Sequence, residues 1–348
     1  MKKICLIFGG MSEEYDVSCV SASFVAEELD SKKYDVIKVG ITRQGQWKLF
    51  LGSPEEMRKH IWEKGQCIPC ILSPDREDHG LLVRENGAVR VEKIDVLFPV
   101  LHGTYGEDGC VQGLFRMSGI PFVGCGVAAS ALGLDKALSN MIFEAIQIPQ
   151  AKWVLIEDIE KADWEEEAKR CQQELGFPCF VKPASTGSSL GITKAHDRLE
   201  LLDAFATARK IDHKIVVEET IVGRELECAV MGNENPKVSC VGEVLSAGEF
   251  YDYDSKYFNQ ASQTVIPAAL TQEESDRIRT YALQAYKALG CRGLSRCDFF
   301  LGDNGTVYIN ELNTLPGFTQ ISMFAKLWMA QGKTYSQVLD DLIGFAVC

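Results

Sequence analysis

The sequence predicts an α/β protein that begins with an open parallel sheet and ends in a strand-rich unit. Ile4 to Phe8 is a short apolar run closed by Gly9-Gly10, the pattern of a strand buried on both faces with a glycine exit. Apolar runs and helical periodicity then alternate through the first third of the chain, as βαβ units do. Near the other end, the apolar runs Phe299 to Leu301 and Val307 to Ile309 flank Gly302-Asp-Asn-Gly305. Asn-Gly between such runs is a hairpin signal.

Ser12-Glu13-Glu14 follows the first strand, and Ser12 is placed to N-cap a helix with periodicity from Val17 to Leu29. Val36 to Val39 is the next strand. Ile94 to Pro99 is another and runs into Val100-Leu-His102-Gly103, before a helix from Gly109 to Met117 and a strand around Val123. Sheets of this kind bind ligands beyond the carboxyl ends of their strands, where Gly9-Gly10 to Glu14 and His102-Gly103 both fall. Past Gly126 a helical segment carries Asp135-Lys136 and ends before Pro149. Then come a strand at Trp153 to Leu155, an acidic amphipathic helix at Trp164 to Glu174, and the strand Cys179-Phe-Val181-Lys182. The small-residue loop Pro183-Ala-Ser185-Thr-Gly187-Ser188-Ser189-Leu-Gly191 leads to a helix at Leu199 to Arg209. From Ile215 the chain turns strand-rich, interrupted by an irregular stretch from Ser246 to Ala269. Gln272 to Leu289 is a helix ended by Gly290, and Ser336 to Val347 is a closing amphipathic helix. The expected units are residues 1–126, 127–210 and 211–348.

Composition bounds the function. The 348 residues are 46% hydrophobic and 24% charged, ordinary for a globular protein of two or three domains. Asp+Glu outnumber Lys+Arg by 49 to 36. No basic block appears, which argues against nucleic acid or an anionic membrane as partner. The apolar part of Met1 to Gly10 is too short for a signal peptide, and no run reaches the length of a membrane span. Thirteen cysteines in such a chain read as reduced thiols in the cytoplasm. Cys67-Ile-Pro-Cys70 has redox-pair spacing but sits in a polar, irregular stretch, with no second pair or histidine cluster for zinc. It reads as structural.

Several stretches carry chemistry. The hairpin holds Asp298 on one strand and brings Glu311 and Asn313 just past the other. Such hard oxygen donors are what Mg²⁺ selects, with phosphates supplying further ligands. A solvated hairpin with acidic ends would show the same pattern. Pro316-Gly317 then bends the chain and frees a backbone N–H near the metal. Arg296 stands two residues before Asp298, on the same strand face, where a guanidinium would stabilise developing negative charge. Lys182 precedes a loop that offers hydroxyls and backbone N–H groups to phosphate. The spacing is not that of a Walker loop, and a flexible surface loop would look alike. Glu218 and Glu219 end an apolar strand, where their carboxylates suit ribose hydroxyls and an adenine amino group, with Ile221 against the base. Gly9-Gly10 lacks the third glycine of a dinucleotide fingerprint, which disfavours a dehydrogenase.

In this order the motifs resemble the ATP-grasp superfamily. Gly9-Gly-Met-Ser-Glu-Glu14, Leu101-His-Gly103, Gly106-Glu-Asp-Gly109, Lys182-Pro, Gly187-Ser-Ser189, Tyr251-Asp-Tyr-Asp-Ser-Lys-Tyr257 and Asn313-Thr-Leu-Pro-Gly317 are similar to those of D-alanine–D-alanine ligases, over essentially the whole chain. The resemblance implies an ATP-grasp fold of three α/β domains and a ligase that makes D-alanyl-D-alanine for peptidoglycan. It implies that Glu14 holds the amine of the first D-alanine, backed by Ser188 and Tyr257, with His102 by that substrate's carboxylate. Lys136, Lys182 and Ser189 would bind phosphates, and Glu218, Glu219, Ile221 and Glu225 the adenosine. Asp298, Glu311 and Asn313 would hold Mg²⁺, two ions, with Mn²⁺ able to substitute. Arg296 and the Gly317 N–H would stabilise the tetrahedral centre. Ser322, supported by Lys256, would bind the second carboxylate. Residues 246–269 would be a lid, and the enzyme a homodimer. Gly103-Thr-Tyr105 and Gln320-Ile321 depart from the family pattern and leave local contacts open.

Two rivals remain. One is a sibling that uses D-serine or D-lactate as acceptor. Such ligases often carry Arg where this chain has Met323, whose thioether suits the methyl of D-alanine. The other is a nucleotide-binding regulator without catalysis, which the intact Arg296, Asp298, Glu311 and Asn313 disfavour.

Overall fold

The computed structural model describes residues 1–157, 159–187, 190–245 and 263–347. The first sheet comprises β1 (Lys2–Gly9), β2 (Tyr34–Ile41), β3 (Trp47–Phe50), β4 (Cys67–Leu72), β5 (Gly80–Glu85), β6 (Ala88–Lys93) and β7 (Val96–Val100), in the order β6-β5-β4-β3-β2-β1-β7. Only β2-β1-β7 is parallel, and β3 to β6 extend it antiparallel. The expected parallel sheet is therefore half of a mixed one. Between β2 and β7 the connections include short turns, which suit hairpins and not crossovers. Cys67 and Cys70 lie in β4, so that stretch is a strand and not irregular. The expected strand at Val123 is a single parallel bridge between Leu97 and Phe122.

Helix α1 (Tyr15–Glu28) packs on β1, and α2 (Pro54–Arg58) packs on α1. Glycine is required at the exit of β1. Gly9 has φ +87, and a Cβ there would sit 2.2 Å from the Ile41 carbonyl oxygen. Helix α3 (Cys110–Ser118) leads to α4 (Val127–Leu134) and α5 (Lys136–Ala145). The one helical segment expected here is two helices broken at Asp135. The Asp135 carboxylate caps α5 by accepting from the N–H groups of Ala137 and Leu138 at 3.1 Å each.

The second sheet is antiparallel, β10-β9-β11-β8, from β8 (Trp153–Ile156), β9 (Cys179–Pro183), β10 (Thr193–Ala195) and β11 (Ile215–Glu219). Helices α6 (Trp164–Glu174) and α7 (Arg198–Ala208) cover it, burying Ala168, Cys171, Leu201 and Phe205 against Val154, Val181 and Val217. Strand β11 is hydrogen-bonded between β9 and β8, although the expected boundary at residue 210 falls ahead of it.

The third sheet, β14-β13-β12-β15-β16, is also antiparallel. It is built from β12 (Gly223–Gly232), β13 (Lys237–Leu245), β14 (Gln263–Val265), β15 (Gly293–Gly302) and β16 (Val307–Asn313). Helix α8 (Gln272–Ala288) buries Ile278, Ala282 and Tyr286 against Cys228, Val230 and Phe299. The other face meets α9 (Met323–Met329) and α10 (Tyr335–Ala346) in one apolar cluster with residues of the first sheet, among them Phe8, Val96 and Phe98. Phe318 stacks edge-on between Phe98 and Phe324, with centroids 5.8 and 5.9 Å away. Such contacts add about 0.5–1.5 kcal/mol each beyond burial, and they seat the Pro316-Gly317 bend against the first sheet. Among the described residues no helix is long and apolar enough to cross a membrane.

Candidate active site

A cleft opens where the first and third sheets meet α5 and the loop after β9. It is lined by Glu14, His102, Lys136, Arg296, Glu311, Asn313, Gly317, Ser322 and Met323 among the expected residues, with Glu107, Gly187 and Glu227 beside them. The first sheet supplies its side through the loops after β1 and β7. Ser12 does not cap α1. Its hydroxyl donates to the His102 carbonyl at 2.6 Å and accepts from the Glu14 N–H at 3.1 Å, so it ties the two loops together. Glu14 is buried, and a Cβ on Gly103 or Gly187 would come within 2.4 or 2.7 Å of its Oε2. The carboxylate is thus packed between glycine backbones of two different loops.

His102 is buried, and its Nε2 has no hydrogen-bond partner among the described residues. Burial pulls the imidazole down to about 4, a backbone hydrogen bond with Leu315 opposes this, and Arg296 adds to the fall. At neutral pH the ring is uncharged and offers hydrogen bonding without charge.

The register of the third sheet gathers its charged side chains. Asp298 pairs with Glu227 on β12 and with Glu311 on β16, while Arg296 pairs with Asn313. A bulge follows Asp298, where the pairing steps from Asp298–Glu311 to Phe299–Ile309. The extra residue is Asn310, and without the bulge it would itself stand opposite Asp298 in place of Glu311. Arg296 grips Asp298 with two hydrogen bonds, Nε to Oδ1 at 2.7 Å and Nη2 to Oδ2 at 2.6 Å, and its Nε lies 3.1 Å from Glu227 Oε2. Burial pulls the guanidinium down, but Asp298, Glu227 and Glu311 together hold it well above its ordinary value. Asn313 Nδ2 donates to Asp298 at 3.1 Å and to Glu311 at 3.3 Å. Glu311 and Asn313 lie within β16, not past it.

Among the described residues, no three His, Cys, Asp or Glu side chains are gathered as a metal cage. Asp298 and Glu311 with the Asn313 amide are a smaller, hard oxygen set. That fits Mg²⁺, which binds through one or two carboxylates and completes its shell with phosphate and water.

The second sheet and α5 hold the remaining expected residues. Lys182 Nζ lies 2.5 Å from Glu218 Oε2, a diagonal pair between β9 and β11, and 3.4 Å from Asn310 Oδ1. Asn140 Nδ2 donates to the other Glu218 oxygen at 3.3 Å. Glu219 instead accepts from the Lys152 N–H at 2.9 Å, outside that group. Lys136 Nζ donates to the Thr186 carbonyl at 2.6 Å, and its N–H donates to Ala184 at 2.9 Å. The start of α5 is thereby docked on the loop after β9. Ile221 and Glu225 are half-buried and do not line the cleft. Ser188, Ser189, Lys256 and Tyr257 lie outside the described residues.

The bend after β16 closes the cleft. A Cβ on Gly317 would come within 2.9 Å of Ser322 Oγ. The Ser322 hydroxyl accepts from the Thr319 N–H at 3.0 Å and lies 2.8 Å from Thr319 Oγ1. Met323 is buried in the apolar cluster with Phe318, Phe324 and Leu327.

Sequence reasoning missed Glu107, Glu227, Asn140 and Asn310. Glu227 had a signal, since it stands two residues from Glu225 on the same strand face. Asn310 had none, because its place depends on the bulge.

The comparisons agree along the chain. The family model described as D-ala D-ala ligase N-terminus matches residues 3–125, and that described as D-ala D-ala ligase C-terminus matches residues 142–344. The chain is similar to a protein named D-alanine--D-alanine ligase from Thermoanaerobacter sp. (strain X514), 46% identical over 99% of this chain and 96% of that protein. It is also 46% identical to one of the same name from Ruminiclostridium cellulolyticum, over 99% and 95%. Among solved structures, it resembles the VanG D-Ala:D-Ser ligase from Enterococcus faecalis, with TM-score 0.89 and 40% identity over 99% of both chains. It also resembles the D-alanine-D-alanine ligase from Coxiella burnetii, with TM-score 0.86 and 32% identity over 100% and 95%.

Proposed function

The chain belongs to the D-alanine–D-alanine ligase family of ATP-dependent ligases, and from that premise we propose how its residues divide the work. It joins two D-alanines through a D-alanyl phosphate, supplying D-alanyl-D-alanine for peptidoglycan. The observation that carries the residue assignment is the single cleft shared by Glu14, Lys136, Arg296, Glu311, Gly317 and Ser322. These come from the first sheet, α5, the third sheet and the bend after it.

Glu14 takes the ammonium of the first D-alanine, with Ser188 and Tyr257 behind it, and neutral His102 hydrogen-bonds the same substrate. Lys136, Lys182 and Ser189 hold ATP phosphates. Glu218, Glu219, Ile221 and Glu225 surround the adenosine, and the Lys182–Glu218 pair opens when the nucleotide enters. Asp298, Glu311 and Asn313 hold Mg²⁺, two ions, for which Mn²⁺ substitutes. When bound, the metal neutralises charge on the transferring phosphoryl group. The carboxylate of the first D-alanine attacks the γ-phosphorus, the bond to the β–γ bridging oxygen breaks, and ADP leaves with D-alanyl phosphate formed. The amine of the second then displaces phosphate at the acyl carbon. Arg296 and the Gly317 N–H stabilise the oxyanion formed there. Ser322 binds the acceptor carboxylate, supported by Lys256.

An acyl phosphate hydrolyses in water, so a lid is needed. Residues 246–269 are proposed for it. Val244, just before that stretch, and Thr264, inside it, face each other across β13–β14 and line the cleft. The pairing of β11 supports ending the central unit after Glu219 in place of 210. Free thiols at every described cysteine support a cytoplasmic site of action. Family resemblance supports a homodimer.

D-Alanine is the proposed acceptor. Buried Met323 beside Ser322 offers an apolar contact for the methyl, and a serine hydroxyl left unpaired there costs about 1–3 kcal/mol, roughly ten- to a hundredfold in preference. The likeness to the VanG D-Ala:D-Ser ligase favours D-serine as the second reading. Incubation with ATP, Mg²⁺ and equal D-alanine, D-serine and D-lactate, with products read by mass, decides. Mainly D-alanyl-D-serine would overturn the acceptor and leave the mechanism standing. No ligated product and no phosphate release would overturn the enzyme.

A further inference from the structure

The loop after β7 folds back on itself. The N–H groups of Gly106 and Glu107 both donate to the Gly103 carbonyl, at 3.0 and 2.9 Å. This turn carries the Glu107 side chain across the loop, where its Oε2 accepts the Gly103 N–H at 2.7 Å. The backbone of Gly103 is therefore clamped at its N–H and at its carbonyl by the same neighbour. From the first turns of α3, Gln112 Nε2 holds the Gly106 carbonyl at 2.7 Å. Gly103 has φ +68, and a Cβ on it would lie 2.4 Å from Glu14 Oε2. Its backbone is thus the wall on which the Glu14 carboxylate rests.

We propose that Glu107 is a positioning residue for the first amino-acid substrate: by clamping Gly103 it sets where the Glu14 carboxylate points. Glu107 itself lines the cleft and is buried. Burial, and then Glu14, push its carboxyl well above the usual range. The upward push favours the neutral form, and in either form an oxygen of the group accepts the Gly103 N–H. A displaced wall moves the carboxylate away from the ammonium, and misplacement of such groups is costly. The proposal rests on Glu14 as the amine-binding residue.

The test is D-alanine saturation kinetics that separate the constant of the first site, K1, from that of the acceptor site, K2. Glu107→Met keeps the volume and removes the acceptor. K1 should rise about tenfold, which is about 1.4 kcal/mol, while K2 and the KM for ATP stay unchanged. Glu107→Gln keeps an acceptor carbonyl and should restore K1. Unchanged K1 in Glu107→Met, failure of Gln to restore it, or all three constants rising together would overturn the proposal. If Glu107→Met does not fold, Gln112→Met loosens the same loop and should raise K1 alone, and an unchanged K1 there overturns the proposal. Glu14→Gln separates the two levels. If it leaves K1 unchanged, the first-site assignment fails. If it raises K1 and the Glu107 variants do not, only the role of Glu107 fails.

Discussion

Replacing Glu311 by Gln keeps the shape of the side chain and removes one carboxylate from the charged face of the third sheet. Glu227, Asp298 and Glu311 lie around the single guanidinium of Arg296, which bonds Asp298 at 2.7 and 2.6 Å and Glu227 at 3.1 Å. Among the described residues, these three carboxylates lie close to one another around that guanidinium and repel one another without a metal. Loss of the Glu311 charge relieves that repulsion and leaves the Arg296–Asp298 grip in place. The melting temperature of the metal-free protein should hold or rise by about a degree or two. Catalysis should move the other way. Lost electrostatic stabilisation of ~3–4 kcal/mol lowers kcat by roughly two to three orders of magnitude. Phosphate release at saturating ATP and D-alanine, followed across a Mg²⁺ titration, reads the loss of turnover, and thermal melts without metal read the change in stability. Near-normal turnover at saturating Mg²⁺ would remove Glu311 from the metal shell. A large fall in melting temperature with turnover retained would make it a structural residue.

Asp298→Asn should differ, because it breaks a mostly buried pair whose side chains are 17% and 11% exposed. A cost of about 2–3 kcal/mol, discounted for that exposure, should appear as a lower melting temperature together with lost turnover, and an unchanged melt would contradict it. Glu218→Gln weakens the partner of Lys182 and should raise the KM for ATP about tenfold without altering the D-alanine constants; equal effects on both would refute the nucleotide assignment. His102 titrates near 4 in the fold because of burial. Below its ordinary value, about 6.5, the unfolded chain takes up a proton that the folded one refuses. Stability is therefore lost as pH falls from about 6.5 to about 4, by up to ~3 kcal/mol. Urea unfolding of His102→Gln should show a shallower pH slope across that window, and identical slopes would reject the buried neutral ring.

The sequence by itself determined what depends on near neighbours. Apolar periodicity placed α1, α6, α7, α8 and α10 to within a residue or two, because burial of one helix face repeats with the helical turn. The Gly-Asp-Asn-Gly turn placed the β15–β16 hairpin, and the spacing of Arg296 and Asp298 placed both on one face. Strands β3 to β6 were not legible, since their pairing depends on hairpins added to an edge far from β7, and β6 is mostly exposed. Ser12 reads locally as a helix cap, yet His102, ninety residues away, takes its hydroxyl. Only the tertiary structure decided that β11 belongs with β9 and β8, and that a one-residue bulge sets Glu311, not Asn310, opposite Asp298. It alone set Glu107 to hold the glycine on which Glu14 rests. Register, bulges and loop-to-loop contacts are settled by long-range pairing and burial, which leave no periodic trace along the chain.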